Sequence, residues 1–406
     1  MLALLAAVVA LLVLASACTT GRGDGEAEGA GGDGDREPEL TTGPGPTYPT
    51  IPFADLDARL TRRVSTAELP GAALLVEQDG ARLHTFATGS VDEDSPLPLG
   101  ETGGWLTAAV LMSLVDDGLV GLDEPVANHL SSMAGDDLGR VTLRHLLSHT
   151  SGLPFGIDCA DADGCDAGVA RATLLGAPGD VFAVSPVGTH VAARLAEAVT
   201  GRTWATIAAE RLLGPLAMNA TSFPEPERTV PVDVPDPPTD GGDGEPDEPV
   251  LPPAPRSLLA VDGTTTAADL GRFLAMVLAK GQGPTERLLE AASVEEIERD
   301  QTSTLDTSRE PWVAATGIPT HGLGVWRDRP RGDGTGLASV VSAPNQIGVY
   351  PLVDRPRNAW AVVAVLDDPL VPLEAVRDSA AVAQLVGVAI DTDGRAIREP
   401  GTPLGG

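Results

Sequence analysis

Apolar positions along the chain fall into three regimes. Residues 1–17, MLALLAAVVALLVLASA, are one apolar run; residues 18 to 49 carry no hydrophobic periodicity; from Ile51 the spacing becomes that of folded elements. Residues 53–66 repeat their apolar positions at helical intervals. Ala72–Val76, the turn pair Asp79-Gly80 and Leu83–Thr88 predict a β-hairpin. Leu106, Ala109, Val110, Leu114 and Val115 share one face of a helix over 105–117, with Gly118 as its stop. Further helices are predicted over 189–200, ended by Gly201, over 203–213, and over Asp269–Ala279 with Thr266 or Ala267 near its start. Ile347–Val353 and Ala359–Leu366 read as paired strands and 372–388 as a closing helix. Residues 224–256, rich in Pro, Asp, Gly and Glu, break the pattern and are expected to be a surface excursion inside one domain. There is no internal repeat. This order predicts an α/β fold of the mixed α+β kind: a sheet flanked by helices plus an all-helical lobe.

The first regime is too short to span a membrane comfortably and ends in small residues before Cys18, as a secretory signal does. Leu14-Ala15-Ser16-Ala17-Cys18 looks like a bacterial lipobox, in which Cys18 would become the lipidated N-terminus. Ala15 stands where Leu is preferred, and no basic segment precedes the run. The expectation is an exported lipoprotein at the outer face of the cell membrane, touching the membrane through its lipid alone. Residues 18–50 would then be a flexible acidic tether with a reach of roughly 30 Å. The folded domain is expected over 51–390, with a C-terminal tail over 391–406.

A formal net charge of -31 excludes nucleic acid as a natural partner, because displacing a polyanion's counterions takes Lys and Arg. Cys159 and Cys165, six apart in DCADADGCD, can close a small disulfide loop in an exported protein. The aspartates between them do not fit a calcium loop: with Asp163-Gly164 at positions five and six, Cys159 falls at position one and Ala170 at position twelve.

Several stretches together resemble the serine β-lactamase and penicillin-recognising hydrolases, in the class C branch that also holds DD-peptidases and esterases. They include Leu69-Pro70-Gly71-Ala72, Leu106-Thr107-Ala108-Ala109-Val110 and Leu122-Asp123-Glu124-Pro125-Val126. The most specific is Arg144-His145-Leu146-Leu147-Ser148-His149-Thr150-Ser151-Gly152-Leu153. Glu197-Ala198-Val199-Thr200-Gly201-Arg202, Leu213-Gly214-Pro215-Leu216, Thr266-Ala267-Ala268-Asp269-Leu270 and His321-Gly322-Leu323-Gly324-Val325-Trp326 follow in the family's order. The resemblance implies a β-lactamase/DD-peptidase-like antiparallel sheet flanked by helices, with an all-helical lobe. It also implies acyl transfer by a Ser-x-x-Lys at a helix start, aided by a Tyr-x-Asn and a polar strand-edge motif.

At those positions this chain departs from the family. Glu101-Thr102-Gly103-Gly104 stands for Ser-x-x-Lys, so Glu101 replaces the nucleophile and Gly104 the lysine. Lys280 is the chain's single lysine, far along the sequence. Val184-Ser185-Pro186 stands for Tyr-Ser-Asn, and Ala343-Pro344-Asn345 for the strand-edge motif, with Ala343 at the polar position. Losing nucleophile and base together removes acyl-enzyme formation, so a pseudoenzyme is expected, with binding or scaffolding as its role. Its partner would be a peptidoglycan-like peptide or a protein. Alternative chemistry would rest on Glu101 as a general base, or on Ser151 or Ser185 as a relocated nucleophile. His145 and His149, four apart, could be half of a metal site, but the family uses that run structurally. No metal and no cofactor are expected. His84, His129, His190 and His321 have no spacing that suggests a triad.

Overall fold

The computed structural model describes residues 50–159, 164–225, 257–308, 310–330, 336–366 and 372–397. The expected signal segment, Cys18 and its lipid, the tether up to residue 49, residues 226–256 of the surface excursion and the tail from 398 lie outside the described residues.

The helix α1 (Phe53–Thr66) has Phe53, Leu56 and Leu60 as its buried stripe and leads into the hairpin β1 (Gly71–Gln78) and β2 (Ala81–Gly89). Gly71 faces Gly89 in that pair, with a bulge between Val76 and Glu77. A short strand β3 (Leu97–Pro98) and a 3-10 turn, Gly100–Thr102, bring the chain to α2 (Gly103–Asp116). Residues 103–114 of α2 are all buried, as expected of a helix that is apolar around its whole circumference. Around α2 lie α3 (Leu143–Leu147), α4 (Gly164–Ala170), α5 (Pro186–Thr200) and α6 (Trp204–Ala208), which runs on into a π-helical turn, Ala209–Leu213. This is the helical lobe. The strand β4 (Thr264–Thr265) pairs with β3, and α7 (Ala267–Leu278), capped by Thr266, packs across the sheet. After α8 (Ala291–Glu298) and α9 (Pro311–Thr316) come β5 (Trp326–Pro330), β6 (Ala338–Ser342), β7 (Val349–Asp354) and β8 (Ala359–Leu366). The last element is α10 (Pro372–Ile397).

The six-stranded sheet has the order β2-β1-β8-β7-β6-β5, and every neighbouring pair is antiparallel. Gly71 of β1 stands opposite Leu366 of β8, so the two ends of the domain meet at the sheet's centre. Strand alternation divides the core. Val341, Val349, Val353 and Val362 join α2 and α7 on one face, while Tyr350, Leu352, Ala361 and Val363 join α1 and α10 on the other. This is the antiparallel sheet with helices and a helical lobe that the sequence predicted.

Two differences have clear physical causes. The strand β5 was not legible, because Trp326-Arg327-Asp328-Arg329-Pro330 has no apolar alternation. Arg327 instead ties this edge to Asp300 Oδ2 (2.6 Å) and to the backbone oxygen of Glu298 (3.1 Å). The second difference corrects the expected tail: residues 391–397 continue α10. They are held because Asp391 pairs with Arg357 (2.8 Å) and because Thr392 Oγ1 and Asp393 Oδ2 accept from the backbone N–H groups of Ile51 (3.1 Å) and Phe53 (2.9 Å).

Cys159 and Cys165 are joined by a disulfide at the start of α4. For so small a loop the chain-entropy effect is about 2 kcal/mol. Replacing both cysteines by serine is expected to lower the unfolding free energy by that amount in a urea titration.

Candidate functional site

The three degenerate motifs converge at the start of α2. The 3-10 turn carries Glu101 half-buried, while Thr102, Gly103 and Gly104 are buried behind it. Across from it runs the segment between β6 and β7, and four side-chain or backbone bonds stitch the two together. Thr102 Oγ1 donates to the carbonyl of Ala343 (2.7 Å). Asn345 Nδ2 donates to the carbonyls of Pro98 (2.9 Å) and Leu99 (3.0 Å). The backbone N–H of Gln346 donates to Glu101 Oε2 (3.3 Å). Turned so that its nitrogen faces the carboxylate, the Gln346 side-chain amide also donates to both Glu101 oxygens. Asn345 has no exposure, and its Oδ1 accepts from the N–H groups of Ile347 and Val349 (3.0 Å each).

Burial pushes the Glu101 carboxyl up to about 7, against its hydrogen bonds from Gln346 and its own backbone. A folded carboxyl that keeps its proton to about 7, where an ordinary one loses it near 4.5, makes the folded state the stronger proton binder between those values. Stability should therefore fall as pH rises through that interval. Glu101→Gln should remove this part of the slope in urea midpoints measured from pH 4 to 8.

Gly104, the lysine position, lies against the turn between His321 and Trp326. A side chain at Gly324 (φ +70°) would come within 2.4 Å of the Gly104 carbonyl, and the Gly324 N–H bonds to the Leu147 carbonyl (2.7 Å). This close approach accounts for Gly324 in the His321–Trp326 stretch.

The second motif has become an ordinary helix start. Ser185 caps α5 by accepting from the Gly188 N–H (3.0 Å), and Pro186 occupies the first helical turn, where its missing N–H costs nothing. This Ser-Pro signal was present in the sequence, yet the periodicity placed the helix start three residues late. Val184 is buried, and its N–H reaches Glu310 Oε2 (3.3 Å). Behind it His149, Phe182, His321 and Trp326 form a packed cluster with ring centroids 4.9 to 6.4 Å apart.

The alternative candidates take the following places. Ser185 Oγ donates to the Pro154 carbonyl (2.8 Å), and Ser151 Oγ accepts from the Leu153 N–H (3.2 Å); both residues are buried. Among the described residues neither hydroxyl is hydrogen-bonded to a histidine or a carboxylate. His149 Nδ1 accepts from the Ser185 N–H (3.3 Å), so its proton sits on Nε2, and burial lowers its pKa to about 4. His145 Nδ1 accepts from the Thr142 N–H in a capping box, and α3 ends before His149, so the two rings do not share a helix face. His84 pairs with Asp57 (2.8 Å), His129 with Glu124 (2.9 Å), and Nδ1 of His321 with the Gly322 carbonyl (2.8 Å). Lys280 pairs with Glu295 (3.0 Å), and neither residue belongs to the motif positions.

One cluster was missed by reading the sequence. Asp166, next to the disulfide, accepts from Arg194 Nε (3.1 Å) and Nη2 (2.7 Å). Arg194 also pairs with Glu197, which accepts from the Trp204 N–H (2.7 Å); Arg194 and Glu197 are buried. The i,i+3 spacing of Arg194 and Glu197 was a signal, but nothing in the sequence tells a buried pair from a solvated one.

An antiparallel sheet beside a helical lobe, with the motif positions at the first turn of the lobe's central helix, defines the scaffold of the penicillin-recognising serine hydrolases. The comparisons agree. The β-lactamase family profile matches residues 56–378, and the chain belongs to that family. Penicillin-binding protein 4 of Amycolatopsis lactamdurans is 34% identical over 259 residues, covering 59% of this chain and 68% of that protein. Esterase EstB of Burkholderia gladioli is 30% identical over 209 residues, covering 43% of this chain and 53% of the esterase. A solved structure from Bacteroides dorei, described as a β-lactamase, shares the fold at TM-score 0.69 with 24% identity, covering 84% of this chain and all of that one (100%).

Proposed function

We propose that this β-lactamase-related chain is a non-catalytic lipoprotein, held by Cys18 at the outer face of the cell membrane and acting there by binding or scaffolding. One observation carries the reading: the turn that should offer a hydroxyl and an amine offers a carboxylate, Glu101, held by Gln346, and a glycine, Gly104. Acylation needs an accessible nucleophile with a base in reach; the one hydroxyl of this turn, Thr102 Oγ1, is buried and donates to the Ala343 carbonyl, and the amine position is a glycine. The burial of Val184, Pro186 and Ala343 supports it further, since a tyrosine or a polar strand-edge residue at those places would face the reacting group. The names of the relatives, a penicillin-binding protein and an esterase, suggest the ligands to try, among them a peptidoglycan-like peptide.

The test is incubation of the purified chain with a fluorescent penicillin, a chromogenic cephalosporin and a p-nitrophenyl ester, read by intact mass and by turnover. The expected result is no adduct and no turnover, with a rise in melting temperature on adding muropeptides. A covalent adduct, or turnover abolished by Glu101→Gln, Ser151→Ala or Ser185→Ala, would replace this reading with that of an active hydrolase using a relocated residue. Mass spectrometry of the native N-terminus tests the lipid on Cys18.

A further inference from the structure

Two histidines meet where the helical lobe joins the sheet. His149 follows α3 in the lobe, and His321 opens the turn that leads into β5. Their rings lie 4.9 Å apart, and the residues are only 8% and 2% exposed. Phe182 stands 6.4 Å from the His149 ring and 5.7 Å from the His321 ring, and Trp326 stands 5.0 Å from the latter. A backbone bond joins the same two segments, from the Gly324 N–H to the Leu147 carbonyl (2.7 Å).

The surroundings favour two neutral rings. His149 Nδ1 accepts from the Ser185 N–H (3.3 Å), and His321 Nδ1 donates to the Gly322 carbonyl (2.8 Å). Among the described residues neither ring is hydrogen-bonded to a carboxylate. The charged neighbours are engaged elsewhere or lose their charge in acid. Asp300 precedes Gln301, whose N–H donates to the His321 carbonyl (3.0 Å), and its own carboxylate accepts from Arg327 (2.6 Å). On α3, Arg144 pairs with Asp123 and Glu296, and His145 Nδ1 accepts from the Thr142 N–H (3.3 Å). Glu310, just before α9, accepts from the Val184 N–H (3.3 Å); burial raises its carboxyl, so it takes up a proton early on acidification. Protonating both histidines would therefore set two like charges side by side in an aromatic cage, with neither water nor a carboxylate to compensate them.

We propose that the His149–His321 contact is an acid-sensitive latch: the neutral rings hold the His321–Trp326 turn against the helical lobe, and acidification releases it. The turn carries Gly324, which lies against Gly104, so its release opens the structure beside the degenerate site. The latch is independent of the function proposed for that site. Burial lowers the His149 ring from 6.5 to about 4, and burial followed by the neighbouring His149 holds the His321 ring well below 6.5. Once the turn is released, both rings titrate near their ordinary value. The open form is then the stronger proton binder, so the closed form is favoured above that value and the open form gains as pH falls below it.

The experiment is amide hydrogen exchange on the full chain from pH 7 to pH 4.5, with each rate compared with the intrinsic rate at the same pH. Protection of the Gly324 amide should fall at least tenfold between pH 6.5 and pH 4.5, while the amides of the central strand β8 keep theirs. In His149→Asn/His321→Asn the Gly324 protection should not depend on pH. Asparagine does not titrate and tolerates the positive φ of His149 (+60°), and its amide can accept at one Nδ1 position and donate at the other. Should the double variant fail to fold, NMR titration of the two rings in the wild-type chain decides, because their protonation must track the loss of Gly324 protection. The proposal is overturned if Gly324 protection holds down to pH 4.5, if it falls as steeply in the double variant, if it falls only together with that of β8, or if the rings take up protons without it.

Discussion

Replacing Arg194 by methionine is expected to destabilise the folded chain by about 4 kcal/mol, the largest effect of any single change considered. Arg194 lies on α5 at 2% exposure and holds two carboxylates, Asp166 on α4 and Glu197 on its own helix, the latter at 0% exposure. The favourable part of such a pair is largely offset by the desolvation of its members, so the intact cluster adds little net stability. Taking away the cation alone exposes the whole cost, because Glu197 is then a buried charge that, among the described residues, keeps only the Trp204 N–H as a hydrogen-bond donor. Burial already raises the Glu197 carboxyl above its ordinary range, and Arg194 is the leading influence in the opposite direction. In Arg194→Met that carboxyl should rise further, so the variant's deficit should grow as pH rises from acid to neutral. Removing the stranded charge as well, in Arg194→Met/Glu197→Gln, should recover more than half of the loss. Urea titrations of the wild type, both single variants and the double variant at pH 5 and pH 7.5 supply the cycle. A loss that is equal at both pH values and unrelieved in the double variant would assign the effect to packing around the arginine stem instead.

Asn345→Ala should cost about 3 kcal/mol and also loosen the degenerate site. Its side chain donates to two carbonyls on one side and accepts from two N–H groups on the other, with no exposure. A buried polar group left without a partner costs about 1–3 kcal/mol, and water entering the gap can relieve only some of the four. The expected signature beyond stability is local. The amides of Ile347 and Val349 should exchange hydrogen faster, and the Glu101 carboxyl should fall from about 7 toward its ordinary value as solvent reaches it. Carbon-13 NMR titration of Glu101 in both proteins reads this directly. A stability loss with the Glu101 titration unmoved would show that Asn345 supports the strand and leaves the turn beside it alone.

In the sequence, Asn345 looked like part of a degraded strand-edge motif. The structure gives it a role of its own, tying the segment before β7 to the turn that bears Glu101. Likewise Val184-Ser185-Pro186 looked like the loss of Tyr-Ser-Asn, and the same residues are a Ser cap followed by a helix-starting proline. Substitution away from the family's pattern was visible residue by residue. The long-range interactions that fill the vacated places reach partners 31 to 247 positions away in the chain, Pro154 for Ser185 and Pro98 for Asn345. No periodicity or local motif encodes such pairs.

The sequence by itself determined the elements whose apolar pattern is strong: α1, the first hairpin, α2, α5, α7 and the pair β7–β8. It also determined the family, through segments kept in order along the domain, and the absence of serine and lysine from the first motif. These are local or linear properties, set by side-chain chemistry and by periods of two and 3.6 residues. Only the tertiary structure decided that β5, polar along its length, is a strand, since Arg327 finds Asp300 and the Glu298 carbonyl there. The same holds for the continuation of α10 to Ile397 and for Glu101, whose carboxyl is raised because folding removes water from around it. Desolvation and long-range pairing depend on which distant segments come together, and a one-dimensional pattern holds no record of that.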